Sequence, residues 1–234
     1  MDEALLKERL EIIRRDVQQE AEKGGFSAPK IIAVTKTHPV EEILPLQGLG
    51  QVDIGENRVQ EVVEKLPSLE EKFRIHLIGR LQSNKVKYII EHVCLIHSVD
   101  RLSLAEEIDR QAQKHGLVMP VLLQVSPVGE PQKGGVLPED AEQLLRDVAK
   151  LPGLKVQGLM AVMPKMDDEE RLSGLFADMR TLFEHLRDEG VDGVSMEELS
   201  MGMSGDYKIA ARHGATMVRI GSALMGPRNY DLKV

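Results

Sequence analysis

The amino-acid sequence predicts a single (β/α)8 barrel over residues 1–234, with one extra helix at its N-terminus. Three observations carry this. Eight short apolar runs alternate with amphipathic stretches along the chain, the pattern of a parallel sheet with helical crossovers. The runs are apolar on nearly every residue, as strands buried on both faces must be. Eight such units in 234 residues, with no G-x-G-x-x-G after the first, favour a closed barrel over an open doubly wound sheet. No linker, low-complexity tract or composition break divides the chain.

Leu5, Leu6, Leu10, Ile12, Ile13 and Val17 recur at helical spacing within residues 2–23, and Gly24-Gly25 ends that helix. Packing onto its own domain is its expected use. The first strand, 31–36, ends abruptly on Lys36. A short helix over 40–49 is entered through Pro39 and disturbed by Pro45. A strand at 52–55 leads to a helix at 58–65, and a strand at 74–79 to a helix at 83–91. After the strand at 94–99, Asp100 is placed to cap a helix ending at His115. A strand at 118–125 precedes a helix that starts near Pro138 and ends at Lys150. The last units are a strand at 156–162 with a long helix at 167–189, a strand at 199–203 with a short helix at 206–213, and a final strand at 217–221.

Composition narrows the function. Hydrophobic residues are 42% and charged residues 29%, as in a soluble globular protein. Aromatics are 3% with no Trp, and the net charge is -8, which together argue against a nucleic-acid partner. The single cysteine, Cys94, has no partner for an internal disulfide, and no Cys/His spacing resembles a zinc site. The acidic N-terminus lacks a secretion profile, and no apolar run spans a bilayer. A cytoplasmic monomer is the expectation.

In a barrel of this kind chemistry sits on the loops that follow the strands. Lys36, partly desolvated at such a rim, can form a Schiff base; the alternative is a lysine that reaches out to solvent. Ser204-Gly205 before a helix start, and Gly221-Ser222 after the eighth strand, suit a phosphate, or are ordinary glycine turns with a serine cap. Arg219, inside an apolar strand, needs a carboxylate or a ligand atom. His76 and His97 are more often core histidines bonded to backbone than acids or bases, and Glu56 more often an ion-pair partner than a catalyst.

Several long motifs then converge. They are Ala33-Val34-Thr35-Lys36, Gly55-Glu56-Asn57 with Gln60-Glu61, His76-Leu77-Ile78-Gly79-Arg80-Leu81-Gln82-Ser83-Asn84-Lys85, His97-Ser98-Val99-Asp100, Leu199 through Asp206, and Val218-Arg219-Ile220-Gly221. In these the chain resembles the YggS/PROSC family of pyridoxal-phosphate homeostasis proteins, whose barrel is similar to that of bacterial alanine racemases. The likeness runs from about residue 5 to Tyr230. It implies that Lys36 holds pyridoxal 5'-phosphate as an internal aldimine, and that Ser204 with the backbone N–H groups of Gly221 and Ser222 holds the phosphate. It also implies that Asn57 and Ser200 line the pocket and that Arg219 faces the pyridine nitrogen. Ser126 stands where many members have Asn, and Ala161-Val162 where Thr is frequent; both bear on the shape of the pocket.

A cationic partner keeps the pyridine nitrogen unprotonated and makes the ring a poorer electron sink. Racemases add a tyrosine base from a second domain, and none of Tyr88, Tyr207 and Tyr230 matches that base; the chain ends at Val234, soon after the eighth strand. The expectation is a carrier or regulator of pyridoxal phosphate and amino-acid balance, without strong catalysis, that passes cofactor to apo-enzymes. A weak amino-acid racemase is the alternative, and a Schiff-base aldolase acting on a phosphorylated sugar is a third reading.

Overall fold

The computed structural model describes residues 2–130 and 132–226; Tyr230 therefore lies outside the described residues. Helix α1 (Glu3–Gly24) is capped by the Asp2 side chain, which accepts from the Ala4 N–H at 3.0 Å, and is closed by Gly25 in the left-handed conformation. It buries Leu6, Leu10, Ile13 and Val17 against its own domain, as expected, while Leu5 and Ile12 remain exposed. Asp16 on α1 accepts from the Tyr207 hydroxyl at 2.8 Å, which ties the helix to the far end of the chain.

The units follow in order: β1 (Lys30–Val34), α2 (Val40–Ile43), α3 (Pro45–Gly48), β2 (Asp53–Glu56), α4 (Val59–Leu69), β3 (Arg74–Leu77), β4 (Leu95–Val99) and α5 (Leu102–Lys114). Then come β5 (Met119–Val125), α6 (Ala141–Val148), β6 (Leu154–Ala161), α7 (Glu169–Asp188), β7 (Val194–Met203), α8 (Tyr207–Arg212), β8 (Met217–Ile220) and α9 (Ser222–Met225). The eight strands pair in parallel in chain order, and β8 closes onto β1 with Ile32 opposite Arg219. This is the predicted (β/α)8 barrel with its extra N-terminal helix.

Two apolar cores result. The larger lies between the outer face of the barrel and the helices. The smaller, inside the barrel, is Ile32, Leu95, Leu122, Met160 and Met217 from five strands. Side chains alternate along a strand, so residues two or four steps further on share the inward face. Val34 and Lys36 follow Ile32 in this way, Val162 follows Met160, and Arg219 follows Met217. This small apolar cluster shares the interior with polar side chains, and Lys36 and Arg219 stand toward the C-terminal mouth.

Several local features differ from expectation. The helix over 40–49 is broken into α2 and α3 at Leu44, because Pro45 cannot donate an N–H and instead starts the second turn. Residues 83–91 form only a 3-10 turn, Ser83–Tyr88. Asp100 does not cap α5. Arg101 occupies the cap position, and the Asp100 carboxylate accepts from Arg101 Nη1 at 2.6 Å instead. Strand β7 begins five residues earlier than its apolar run, since polar Glu197 and Glu198 hide it. Helix α9, only four residues long, has no periodicity to read. Gly79 and Gly202 are among the glycines that the geometry requires. A Cβ on Gly79 would stand 2.3 Å from the carbonyl oxygen of Asn57, and Gly202, at φ 90°, lies where a Cβ would meet that of Ala210 at 2.4 Å.

Candidate functional site

At the C-terminal mouth lies a cavity of about 410 Å3. Six of the seven predicted site residues line it: Lys36, Asn57, Ser204, Arg219, Gly221 and Ser222. Ser200 does not. It is fully buried beneath Arg219, because its inward position on β7 is a layer below the rim. His38, Ile78, Val162 and Met203 also line the cavity. Val162 is the position that the family likeness ties to the shape of the pocket, and Ile78 and Met203 lie within matched motifs, whereas His38 has only its nearness to a strand end as a signal.

Lys36 owes its position to a buried polar network. Thr35 Oγ1 donates to Glu56 Oε1 at 2.7 Å. Lys65 Nζ, one turn along α4 from Glu61, donates to the same carboxylate oxygen at 2.7 Å and to the Thr35 carbonyl at 3.0 Å. Glu61 Oε2 accepts the N–H of Thr37 at 2.7 Å. Thr37 has φ 65°, a left-handed conformation uncommon for a β-branched residue. Lys36 thus sits between two residues that β2 and α4 hold fast. Burial pushes the Glu56 carboxyl above its ordinary value, while Lys65 pulls it the other way. At 2.7 Å from Lys65 Nζ, Glu56 is an ion-pair partner, as anticipated. Glu61 is signalled in the sequence only by its place in a matched motif and Lys65 not at all, because the residues they fix, Thr37 and Thr35, lie 24 and 30 residues away in the chain.

Among the described residues no carboxylate is in hydrogen-bond contact with Arg219. Nη1 donates to the carbonyl oxygen and the hydroxyl of Ser200, at 2.8 and 2.7 Å, and Nη2 to the Ala161 carbonyl at 2.8 Å. Of the two partners the sequence left open, a carboxylate or a ligand atom, the first is not in contact among the described residues; backbone carbonyls of β6 and β7 and the Ser200 hydroxyl hold the guanidinium instead. A guanidinium carries further N–H donors, and Arg219 presents its exposed edge to the cavity. Burial pulls it down to about 10, opposed by the charge of Asp206, so it remains cationic at neutral pH.

Ser204 knits the last two loops together. Its Oγ accepts the N–H of Gly221 at 3.1 Å and that of Ala223 at 3.2 Å. Its own hydroxyl proton is available to donate. Gly205 has no heavy atom within 4 Å of where a Cβ would stand, which leaves this edge of the cavity open. One wall thus carries a primary amine, another a guanidinium, and the glycine turns a hydroxyl. That donor set fits pyridoxal phosphate, which needs an amine for its aldehyde, a partner at its ring nitrogen and donors for its phosphate.

Comparison with known proteins places the chain. Residues 9–229 match the family model of the alanine racemase N-terminal domain. The pyridoxal phosphate homeostasis protein of Aquifex aeolicus is 41% identical over 226 residues, covering 95% of this chain and 98% of that one. The chain belongs to the pyridoxal phosphate homeostasis family. Among solved structures of that family, PipY of Synechococcus elongatus with pyridoxal phosphate bound superposes with a TM-score of 0.84 at 35% identity, covering 94% of this chain and all of that one. The alanine racemase of Clostridium difficile shares the fold, with a TM-score of 0.72 at 18% identity, over 90% of this chain and 55% of the racemase. Members of the homeostasis family and the racemases therefore share one barrel.

Proposed function

We propose that this chain binds pyridoxal 5'-phosphate through Lys36 and serves cofactor homeostasis and amino-acid balance. The observation that carries the reading is the convergence of Lys36, Arg219 and Ser204 on one cavity, each on a different strand end. The bound cofactor in PipY supports it. Lys36 Nζ is the amine that takes the aldehyde. Ser204, with the N–H of Ser222, grips the phosphate; the Gly221 N–H, expected to join them, donates to Ser204 Oγ at 3.1 Å and orients that hydroxyl, and Asn57 forms part of the wall. Arg219 faces the ring nitrogen. When bound to a lysine, pyridoxal phosphate supplies an electron sink for amino-acid chemistry. Arg219 offers donors and no acceptor, so it withholds a proton from that nitrogen and weakens the sink. We assign the chain a carrier's role rather than a racemase's, working as a single-domain monomer in the cytoplasm and passing cofactor to apo-enzymes. Among the described residues no helix is long and apolar enough to cross a membrane.

Two measurements test this. Purified protein supplied with pyridoxal phosphate should show the visible absorbance of lysine-bound cofactor, and Lys36→Ala should lose it while the barrel survives. An absorbance retained by Lys36→Ala would place the covalent bond elsewhere. Added amino acid should shift the spectrum with little exchange of its α-proton for deuterium. Rapid exchange would promote the racemase.

A further inference from the structure

A chain of polar side chains runs through the barrel interior from the floor to Arg219. Arg219 Nη1 reaches Ser200 Oγ at 2.7 Å, and Ser200 Oγ lies 3.0 Å from His97 Nδ1. His97 Nε2 is 3.0 Å from His76 Nδ1, and His76 Nε2 is 2.9 Å from Asp53 Oδ1. All five residues are buried. Strands β4 and β7 are not neighbours, so the His97–Ser200 contact crosses the interior. Both nitrogens of each imidazole are used inside this chain. The histidines are thus bonded to side chains, not to backbone as core histidines commonly are.

The ends of the chain differ in kind. A guanidinium only donates, and a carboxylate only accepts. With neutral imidazoles, one arrangement satisfies every link: Arg219 donates to Ser200, Ser200 to His97, His97 to His76, and His76 to Asp53. Both rings then carry their proton on Nε2. A second proton on His76 would oblige its Nδ1–H to donate to His97 Nε2. His97 would reverse to the Nδ1–H form and donate to Ser200. Asp53 and the Cys94 thiol face His76 and favour that proton against burial; burial, His76, Arg219 and Lys30 hold His97 well below its ordinary value. Arg74 and Lys30 face Asp53. His76 is therefore the ring that titrates.

We propose that Asp53, His76, His97 and Ser200 are positioning residues for Arg219, holding its guanidinium toward the cofactor's ring nitrogen through one directional hydrogen-bond chain. The role at the ring nitrogen rests on the pyridoxal-phosphate reading; the chain itself does not.

The test is 15N NMR of the histidine rings and the Arg219 Nη protons in the full chain without cofactor, followed by pyridoxal phosphate titration. Above the His76 titration both rings should be Nε2–H, and acidification through it should turn His97 to Nδ1–H. Asp53→Asn presents both an acceptor and a donor, so it should give mixed tautomers at both rings and faster exchange of the Arg219 Nη protons. Ser200→Ala cuts the other end. It should leave both rings Nε2–H yet quicken the same Nη exchange, and it serves alone if Asp53→Asn does not fold. Each variant should weaken pyridoxal phosphate binding about two- to tenfold, the worth of one net hydrogen bond, and the double variant no more than the worse single. Additive effects, or a His97 that stays Nδ1–H above the His76 titration, would overturn the proposal. Wild-type protein with the expected tautomers but no cofactor binding would remove the functional reading alone, and the Nη exchange in the two variants then decides whether the chain positions Arg219.

Discussion

Thr37 is the most exacting place to test how Lys36 is held. Its φ of 65° places a β-branched residue in the left-handed region, at a cost of roughly 1–2 kcal/mol. Its buried Oγ1 has no hydrogen-bond partner among the described residues, a further penalty of about 1–3 kcal/mol. Thr37→Gly removes both and retains the N–H that Glu61 accepts. It adds about 0.5–1 kcal/mol of chain entropy to be lost on folding. The variant should therefore be more stable by about 1–4 kcal/mol. For a chain of this size each kcal/mol raises Tm by about 2–4 °C. Urea unfolding should show a higher midpoint at unchanged slope. Thr37→Ala keeps the strained backbone and should recover only the hydroxyl's share. The gain should come with weaker cofactor binding, because a glycine there lets the Lys36 turn relax. A midpoint for Thr37→Gly at or below wild type would refute the claim that the Lys36 turn is strained, and with it the idea that Glu61 and Lys65 hold a position the backbone would otherwise leave.

If Ser204 donates to the phosphate as proposed, Ser204→Ala removes a hydrogen bond to a charged group, worth about 1.5–3 kcal/mol, so pyridoxal phosphate should bind about tenfold or more weaker, while unphosphorylated pyridoxal changes little. Equal weakening of the two ligands, measured by absorbance titration, would show that Ser204 does not touch the phosphate. Burial holds the Asp206 carboxyl above its ordinary 3.8, against the pull of the Met203 N–H and Arg219. A carboxyl with a raised folded value contributes stability that is fully present below its ordinary value and lost as pH rises through the folded one. Asp206→Asn keeps an acceptor for the Met203 N–H and should be more stable than wild type at neutral pH. That difference should shrink as the pH falls toward 3.8; a difference that grows on acidification would contradict the sign.

The barrel and most of its rim were legible because both follow from local rules. Apolar runs on nearly every residue announce strands covered on both faces, and the loop after each strand is where a barrel presents polar groups. Lys36, Asn57, Ser204, Arg219, Gly221 and Ser222 could thus be named from strand ends and motif likeness, and all six line the cavity. Boundaries and caps were less legible: Asp100 gave its carboxylate to Arg101, and Pro45 split one expected helix in two.

What the sequence determined by itself is the alternation of buried strands and amphipathic helices, and the set of reactive residue types at the strand ends, since period and polarity are properties of neighbouring residues. Only the tertiary structure decided what those residues touch. Barrel closure brings β4 across to β7 and sets α4 against the end of β1. Ser200 therefore became a support for Arg219 rather than a wall of the cavity, and two histidines 21 residues apart became links between Asp53 and Arg219. Lys65 and Glu61 came to hold Lys36 in the same way. A hydrogen bond is decided within about 3 Å, and closing the barrel is what sets distances on that scale between residues far apart in the chain.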